Sequence, residues 1–192
     1  MMMKIAHKPI NNHSPHFLSH RQSKGAGLIE VLIAALVLSV GILGYVGLQI
    51  NAKRLNFEST QRTTATYLAQ NLLERMRSNP QQLNAYVVSD LDPGALGEPN
   101  PNCTTAQCTT AELATFDLWD WDQLLDGASV SGGLINPMAC VTNNGNYLTV
   151  VIVWQGKTEL DQSNAPACGA ENYVDTLELR QWIQLNTFVA DV

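Results

Sequence analysis

The sequence predicts an α+β fold in which a long N-terminal α-helix packs on a C-terminal antiparallel β-sheet, with disulfides stabilising the sheet-bearing part. Three observations predict it. An uncharged run of 18 residues passes without proline into an amphipathic stretch that stops at Asn79-Pro80. Alternating segments with hairpin punctuation occupy the last third of the chain. All four cysteines lie beyond the first stretch.

Composition sets the outer bounds. The 192 residues are 45% hydrophobic and 15% charged, with a net charge of −6, which suits one or two small domains and excludes a disordered chain or a basic nucleic-acid binder. Charge is unevenly placed. Residues 1–25 hold Lys4, Lys8, Arg21 and Lys24, no acid, and every histidine (His7, His13, His16 and His20). The remainder keeps 7 of the 11 bases against all 17 acids, a net of −10. Removal of the first segment would remove histidine chemistry with it.

Val31 to Leu48 reads VLIAALVLSVGILGYVGL. At about 1.5 Å per residue this spans about 27 Å, close to the hydrocarbon thickness of a bilayer. A buried core helix would not be apolar all round over this length, and a cleavable secretory signal would carry a shorter apolar region ending in a small-residue site. The stretch is therefore expected to cross a membrane. The basic leader favours a cytoplasmic N-terminus and an outward C-terminal part, an asymmetry that Lys53 and Arg54 weaken. Glu30 sits just inside the apolar stretch, where an unpaired carboxylate costs about 3 kcal/mol. Either it marks the interfacial start of the helix or it meets a partner.

The residues around Glu30, Lys24-Gly25-Ala26-Gly27-Leu28-Ile29-Glu30-Val31-Leu32, resemble the processing site of type IV pilins and pseudopilins. The resemblance implies cleavage between Gly25 and Ala26 by a prepilin peptidase and N-methylation of Ala26. It makes Leu28, Ile29, Glu30 and Val31 the assembly residues, the Glu30 carboxylate meeting an α-amino group during subunit packing. Mutual burial of an amine and an acid offsets part of the cost of burying either alone. The chain departs from the commonest pattern with Ala26 at the first mature position, Gly27 at the second and a long leader. These differences bear on processing efficiency more than on membership.

Beyond the apolar run, Ala65, Leu68, Ala69, Leu72 and Met76 recur at helical spacing while Arg62, Glu74, Arg75 and Arg77 decorate other faces. Pro80 disfavours continuation, so one helix over 26–79 is expected, its apolar part being 26–50 and its amphipathic part 51–79. Gly41, Gly44 and Gly47 each cost about 1 kcal/mol relative to alanine. They are expected either to provide a smooth packing face, to let the helix loosen in a filament as the resemblance implies, or merely to be tolerated in a membrane helix.

Residues 80–192 are expected to form a globular domain of loop, helix and sheet. Residues 80–110 hold Pro80, Pro93, Gly94, Gly97, Pro99 and Pro101 and read as a connecting region. Thr109 and Glu112 have capping-box spacing, and Ala114, Leu118, Trp121 and Leu125 mark a short helix ending near Gly127. Asp117, Asp120 and Asp122 on it are expected to form a solvated face rather than a metal site. Met138–Thr142 and Tyr147–Trp154 read as a hairpin across Asn143-Asn144-Gly145-Asn146, and Thr176–Phe188 as a third strand. Trp154 and Trp182 are expected in core or sheet-surface packing.

Four cysteines allow three pairings. C-x4-C without histidine is poor for zinc, and an even count beyond a membrane segment favours disulfides in an oxidising compartment. The expected bridges are Cys103–Cys108 and Cys140–Cys168, with a redox-active pair as the alternative. No GxSxG, Walker loop, HExxH or Rossmann glycine pattern occurs. No catalytic residue, metal site or cofactor is expected, and the chain is not expected to be an enzyme.

The Cys-x4-Cys segment, AELATFDLWDWDQLL and the VVIVW strand resemble most the PilV type of minor pilin. That implies a subunit that initiates type IV pilus assembly in company with other minor pilins and the major pilin, supports a tip adhesin, and serves adhesion and twitching motility. It implies an inner-membrane subunit with a periplasmic C-terminal domain, served by the inner-membrane assembly platform and later found on the cell surface. A pseudopilin of type II secretion or competence would share residues 25–50. A membrane-tethered periplasmic enzyme or redox protein is the reading from another class.

Overall fold

The computed structural model describes residues 27–130 and 133–190. Helix α1 covers Leu28–Ser78, a 3-10 segment follows at Pro80–Tyr86, and strand β1 takes Val88–Leu91. Helix α2 spans Thr110–Val130, strands β2 and β3 span Ile135–Asn144 and Tyr147–Gln155, a second 3-10 segment spans Ala170–Leu179, and β4 spans Arg180–Phe188. The chain divides into two compact units, one up to Tyr45 and one from Val46 to Val192. The long helix packed on a four-stranded antiparallel sheet is the architecture expected from the sequence.

The sheet runs in the order β1-β2-β3-β4, antiparallel throughout. Its helix-facing side presents Ala139, Val141, Leu148, Val150, Ile152, Trp154 and Ile183. Against it lies the stripe of α1 predicted from spacing, Ala65, Leu68, Ala69, Leu72 and Met76, all buried. Ala65 and Ala69 have no solvent exposure, and their small side chains let the helix backbone approach the sheet. Helix α2 closes this core with Ala114, Leu118, Trp121 and Leu125. The Trp121 indole N–H donates to the Leu68 carbonyl at 2.8 Å, so the largest buried ring also satisfies its polar atom.

The opposite side of the sheet is covered too. Met138, Val151 and Val153 pack with Cys168 and Tyr173 from the segment that leads from β3 to β4. Strand β3 therefore buries Leu148, Val150, Ile152 and Trp154 against the helices and Val151 and Val153 against the return segment, which explains a continuous apolar run over 150–154 rather than an alternating one.

Four expectations need correction. Residues 80–110 are not only connection: Pro80–Tyr86 is a 3-10 segment and Val88–Leu91 adds an edge strand, pairing Val88 with Val141 and Leu91 with Ala139. With four residues and a positive φ of 48° at Asp90, this strand has no alternation to display. Thr176–Leu179 is 3-10 rather than strand: the last β3–β4 rung pairs Gln155 with Arg180, and beyond it the Leu179 carbonyl accepts from the Gly156 amide and the Glu178 carbonyl from the Leu160 amide, bonds that skip from 156 to 160 and build no ladder. Helix α2 continues past Gly127 to Val130, the flanking burial of Leu125 and Ala128 outweighing the glycine. The acids of α2 form no solvated face, since Asp117 and Asp122 are buried.

Two local devices are realised. The β2–β3 turn places Gly145 and Asn146 at φ of 56° and 69° between the paired Asn144 and Tyr147, the primed geometry that matches strand twist. At the start of α2, the Thr109 N–H donates to the Glu112 carboxylate at 2.8 Å and the Glu112 N–H donates to the Thr109 hydroxyl at 3.3 Å, closing a capping box. The Thr109 amide and hydroxyl hold the Glu112 carboxyl below its ordinary value. Thr109→Ala is expected to cost about 1 kcal/mol at pH 7 by chemical denaturation. Because Glu112 has a lowered folded-state pKa, its share of the cap is present above the ordinary value of 4.5 and is lost as pH falls through the folded-state value. The deficit of the variant should therefore shrink in acid.

Candidate assembly site

Residues 27–45 form a unit in which every side chain is exposed. The Glu30 amide donates to the Gly27 carbonyl at 2.9 Å, and Val31 shares the same acceptor at 3.3 Å, so helical bonding starts at the first described residue. Leu28 and Ile29 are 87% and 72% exposed, and Val31 stands out beside Glu30. A polar acid flanked by large bare aliphatics is a surface that needs another hydrophobic body. A Cβ built on Gly41, Gly44 or Gly47 would meet nothing within 4 Å. Among the described residues nothing therefore crowds these glycines. Among the described residues, α1 is the helix long and apolar enough to cross a membrane, and its apolar window contains no buried residue. Gly25 and Ala26, together with residues 1–24, lie outside the described residues.

In the unit that starts at Val46, charged side chains join elements distant in sequence. The Arg75 guanidinium lies 3.3 Å from Asp117 and 2.5 Å from Asp120, tying α1 to α2. The Tyr86 hydroxyl donates to the other Asp117 oxygen at 2.7 Å. Burial pushes the Tyr86 phenol well above its ordinary range, and the Asp117 carboxylate adds to the rise. Asp122 accepts from the amides of Gly94 and Leu96, each at 2.9 Å, and so organises the turn after β1. Burial raises its carboxyl against the pull of those two donors. The sequence signal for these roles was acids interleaved with Trp119 and Trp121, in a helix where a solvated face would show lysines as well.

Both disulfides are formed, Cys103–Cys108 and Cys140–Cys168. The first closes a small loop just before α2. The second joins β2 to the return segment on the side of the sheet away from α1. Beside it, the Asp90 carboxylate accepts from the Gly169 amide at 2.6 Å. Asp90, Cys140 and Cys168 come together as three potential metal-ligating groups, but both sulfurs are bonded to each other and offer no thiolate. Gly169 has a φ of 65°, and a Cβ there would lie 3.0 Å from Val153 and 3.2 Å from the Met138 sulfur, so this corner admits glycine alone. Arg180 is buried, and its guanidinium donates to the carbonyls of Cys168 and Pro166, both at 2.8 Å. Desolvation lowers its pKa.

Residues 47–119 match the family model described as Tt1218-like, type IV pilin Tt1218. The match covers the second part of α1, β1, the first disulfide loop and the start of α2. It thus supports a type IV pilin from residues other than the Gly25–Val31 segment on which the sequence resemblance rests. No curated protein and no solved structure matches the chain. A pilin relationship fits association with other pilins and with a membrane, and a structural protein rather than a catalyst.

The Cys140–Cys168 bridge closes the larger loop, with a separation of 28 residues against 5 for the other. In the chain-entropy account this corresponds to about 3.5 kcal/mol against about 2. Replacing both Cys140 and Cys168 by serine should lower unfolding stability more than replacing Cys103 and Cys108, as read from denaturant midpoints under oxidising conditions.

Proposed function

We propose that the chain is a pilin subunit that acts by packing, and within that class a minor pilin of the PilV type that helps to initiate type IV pilus assembly and takes part in the tip complex. The observation that carries the pilin reading is the family match over residues 47–119, joined to an adjacent uncharged helix with Glu30 at its head. The minor-pilin assignment rests on the sequence resemblance of the Cys103–Leu125 region and β3.

In this reading residues 1–25 are a leader, Gly25/Ala26 is the cleavage and methylation site, and residues 26–50 first hold the subunit in the inner membrane. The C-terminal part faces the periplasm. On extraction by the assembly platform the same apolar surface moves from lipid to the helices of neighbouring pilins. Little hydrophobic free energy changes, because one apolar surround replaces another. Selectivity must then come from polar groups, and Glu30 is the acid placed to supply it by meeting a neighbour's amine. Gly41, Gly44 and Gly47 let helices approach or loosen. The loops and sheet edges, including those that would support a tip adhesin, choose partners.

Intact-mass and N-terminal peptide analysis of the membrane-extracted protein tests the pathway. A start at N-methylated Ala26 is expected, and an intact leader or a start beyond residue 48 would overturn it. Glu30→Val should still insert and be processed yet fail to enter surface pili, measured by its loss from sheared filaments. Undiminished entry would remove the pairing role.

A further inference from the structure

Just beyond the apolar run, α1 presents Lys53 and Arg54, and the segment after β3 brings Lys157 to the same place. The Lys157 ammonium lies 5.0 Å from the centroid of the Phe57 ring. The Arg54 guanidinium donates to the Lys157 carbonyl, which fixes the loop on the helix. Lys53, Arg54 and Lys157, with Ile50 and Phe57, line one open concavity of about 580 Å³. Three of the seven bases outside the leader thus gather round one cavity in a chain whose remainder is strongly acidic. Glu58 lies 3.7 Å from Arg54 and balances one charge. Like charges round one concavity repel unless an anion fills it.

We infer that this concavity is a docking site for the headgroup of an anionic phospholipid. Lys53 stands five residues past Leu48, about 7.5 Å along the helix, which is the depth of the headgroup layer outside a hydrocarbon core that ends near Leu48. The surrounding surface has the matching composition. Leu48 and Ile50 are 72% and 65% exposed, Phe57 closes the outer wall one helical turn beyond Lys53, and the bases reach outward on aliphatic stems. An acidic protein face would complement the charge and leave those aliphatics in water. The site rests on the membrane-spanning reading of α1. It explains why bases sit on the side of the span where orientation alone would disfavour them: they hold the globular part against the surface from which the subunit is later extracted.

The test uses the full chain in nanodiscs of phosphatidylcholine with increasing phosphatidylglycerol, reading amide hydrogen exchange by mass spectrometry. Peptides covering residues 50–58 and 156–159 should exchange at least about threefold more slowly once phosphatidylglycerol is present. Lys157→Gln, which keeps the carbonyl that Arg54 holds, should raise the phosphatidylglycerol fraction for half-protection about fivefold, the worth of one base near an anionic surface. Lys157→Arg should restore it. Exchange independent of phosphatidylglycerol in chains that do incorporate overturns the headgroup site alone. Protection that appears only when several chains share a disc assigns the face to a neighbouring subunit, and protection by inorganic phosphate in phosphatidylcholine discs assigns it to a free anion; each overturns the lipid assignment. Failure of the chain to enter discs overturns the spanning reading and the site with it.

Discussion

The middle of strand β3, residues 150–154, has no polar face to offer water, and the arrangement of the globular unit follows from that constraint. Val150, Ile152 and Trp154 require one cover and Val151 and Val153 require another. The amphipathic part of α1, with α2, provides the first. The return segment between β3 and β4 provides the second, and it is poor in regular structure. A segment that makes few backbone ladder bonds needs other fastening, and the Cys140–Cys168 bridge, the Asp90 carboxylate on Gly169 and the Arg180 guanidinium on two carbonyls supply it. These devices do with covalent and charged links what ladder hydrogen bonds do elsewhere.

The same logic explains the acids of α2. Arg75 and Tyr86 converge on Asp117, and Asp122 gathers two amides of the loop after β1. Each carboxylate is a junction between elements distant in sequence, and the removal of any one would leave buried donors without an acceptor. The polar content of this unit is thus spent on joining layers.

What the sequence revealed and what it hid divide along the range of the interactions. The stripe Ala65–Met76, the capping box at Thr109, the Asn-Gly turn and the two apolar strands of the hairpin are written in spacings of two to four residues, and each was legible. Strand β1 was not, because its identity depends on Val141 and Ala139 some fifty residues away. Leu177 and Leu179 alternate as a strand would, but the chain beyond Gln155 leaves the sheet and continues no ladder beside them. Asp122 looked solvated because its partners, the amides of Gly94 and Leu96, carry no side-chain signature. Lys157 gave no signal at all, since only folding sets it over Phe57. At the candidate assembly surface the residues around Glu30 were conspicuous as a motif, whereas the use proposed for them depends on other chains.

The two-sided burial of β3 also separates the unit into parts that can change independently. Val151 and Val153 of β3, a few side chains of β2 and β4 and Asp90 of β1 touch the return segment, and α1 meets it at Arg54, Phe57 and Glu58, whereas none of the buried stripe on α1 does. Held on α1 at Lys157, on β2 at Cys168 and on β4 at Arg180, the rest of that segment behaves as a cassette: its length and surface chemistry can diversify while the helix side stays fixed.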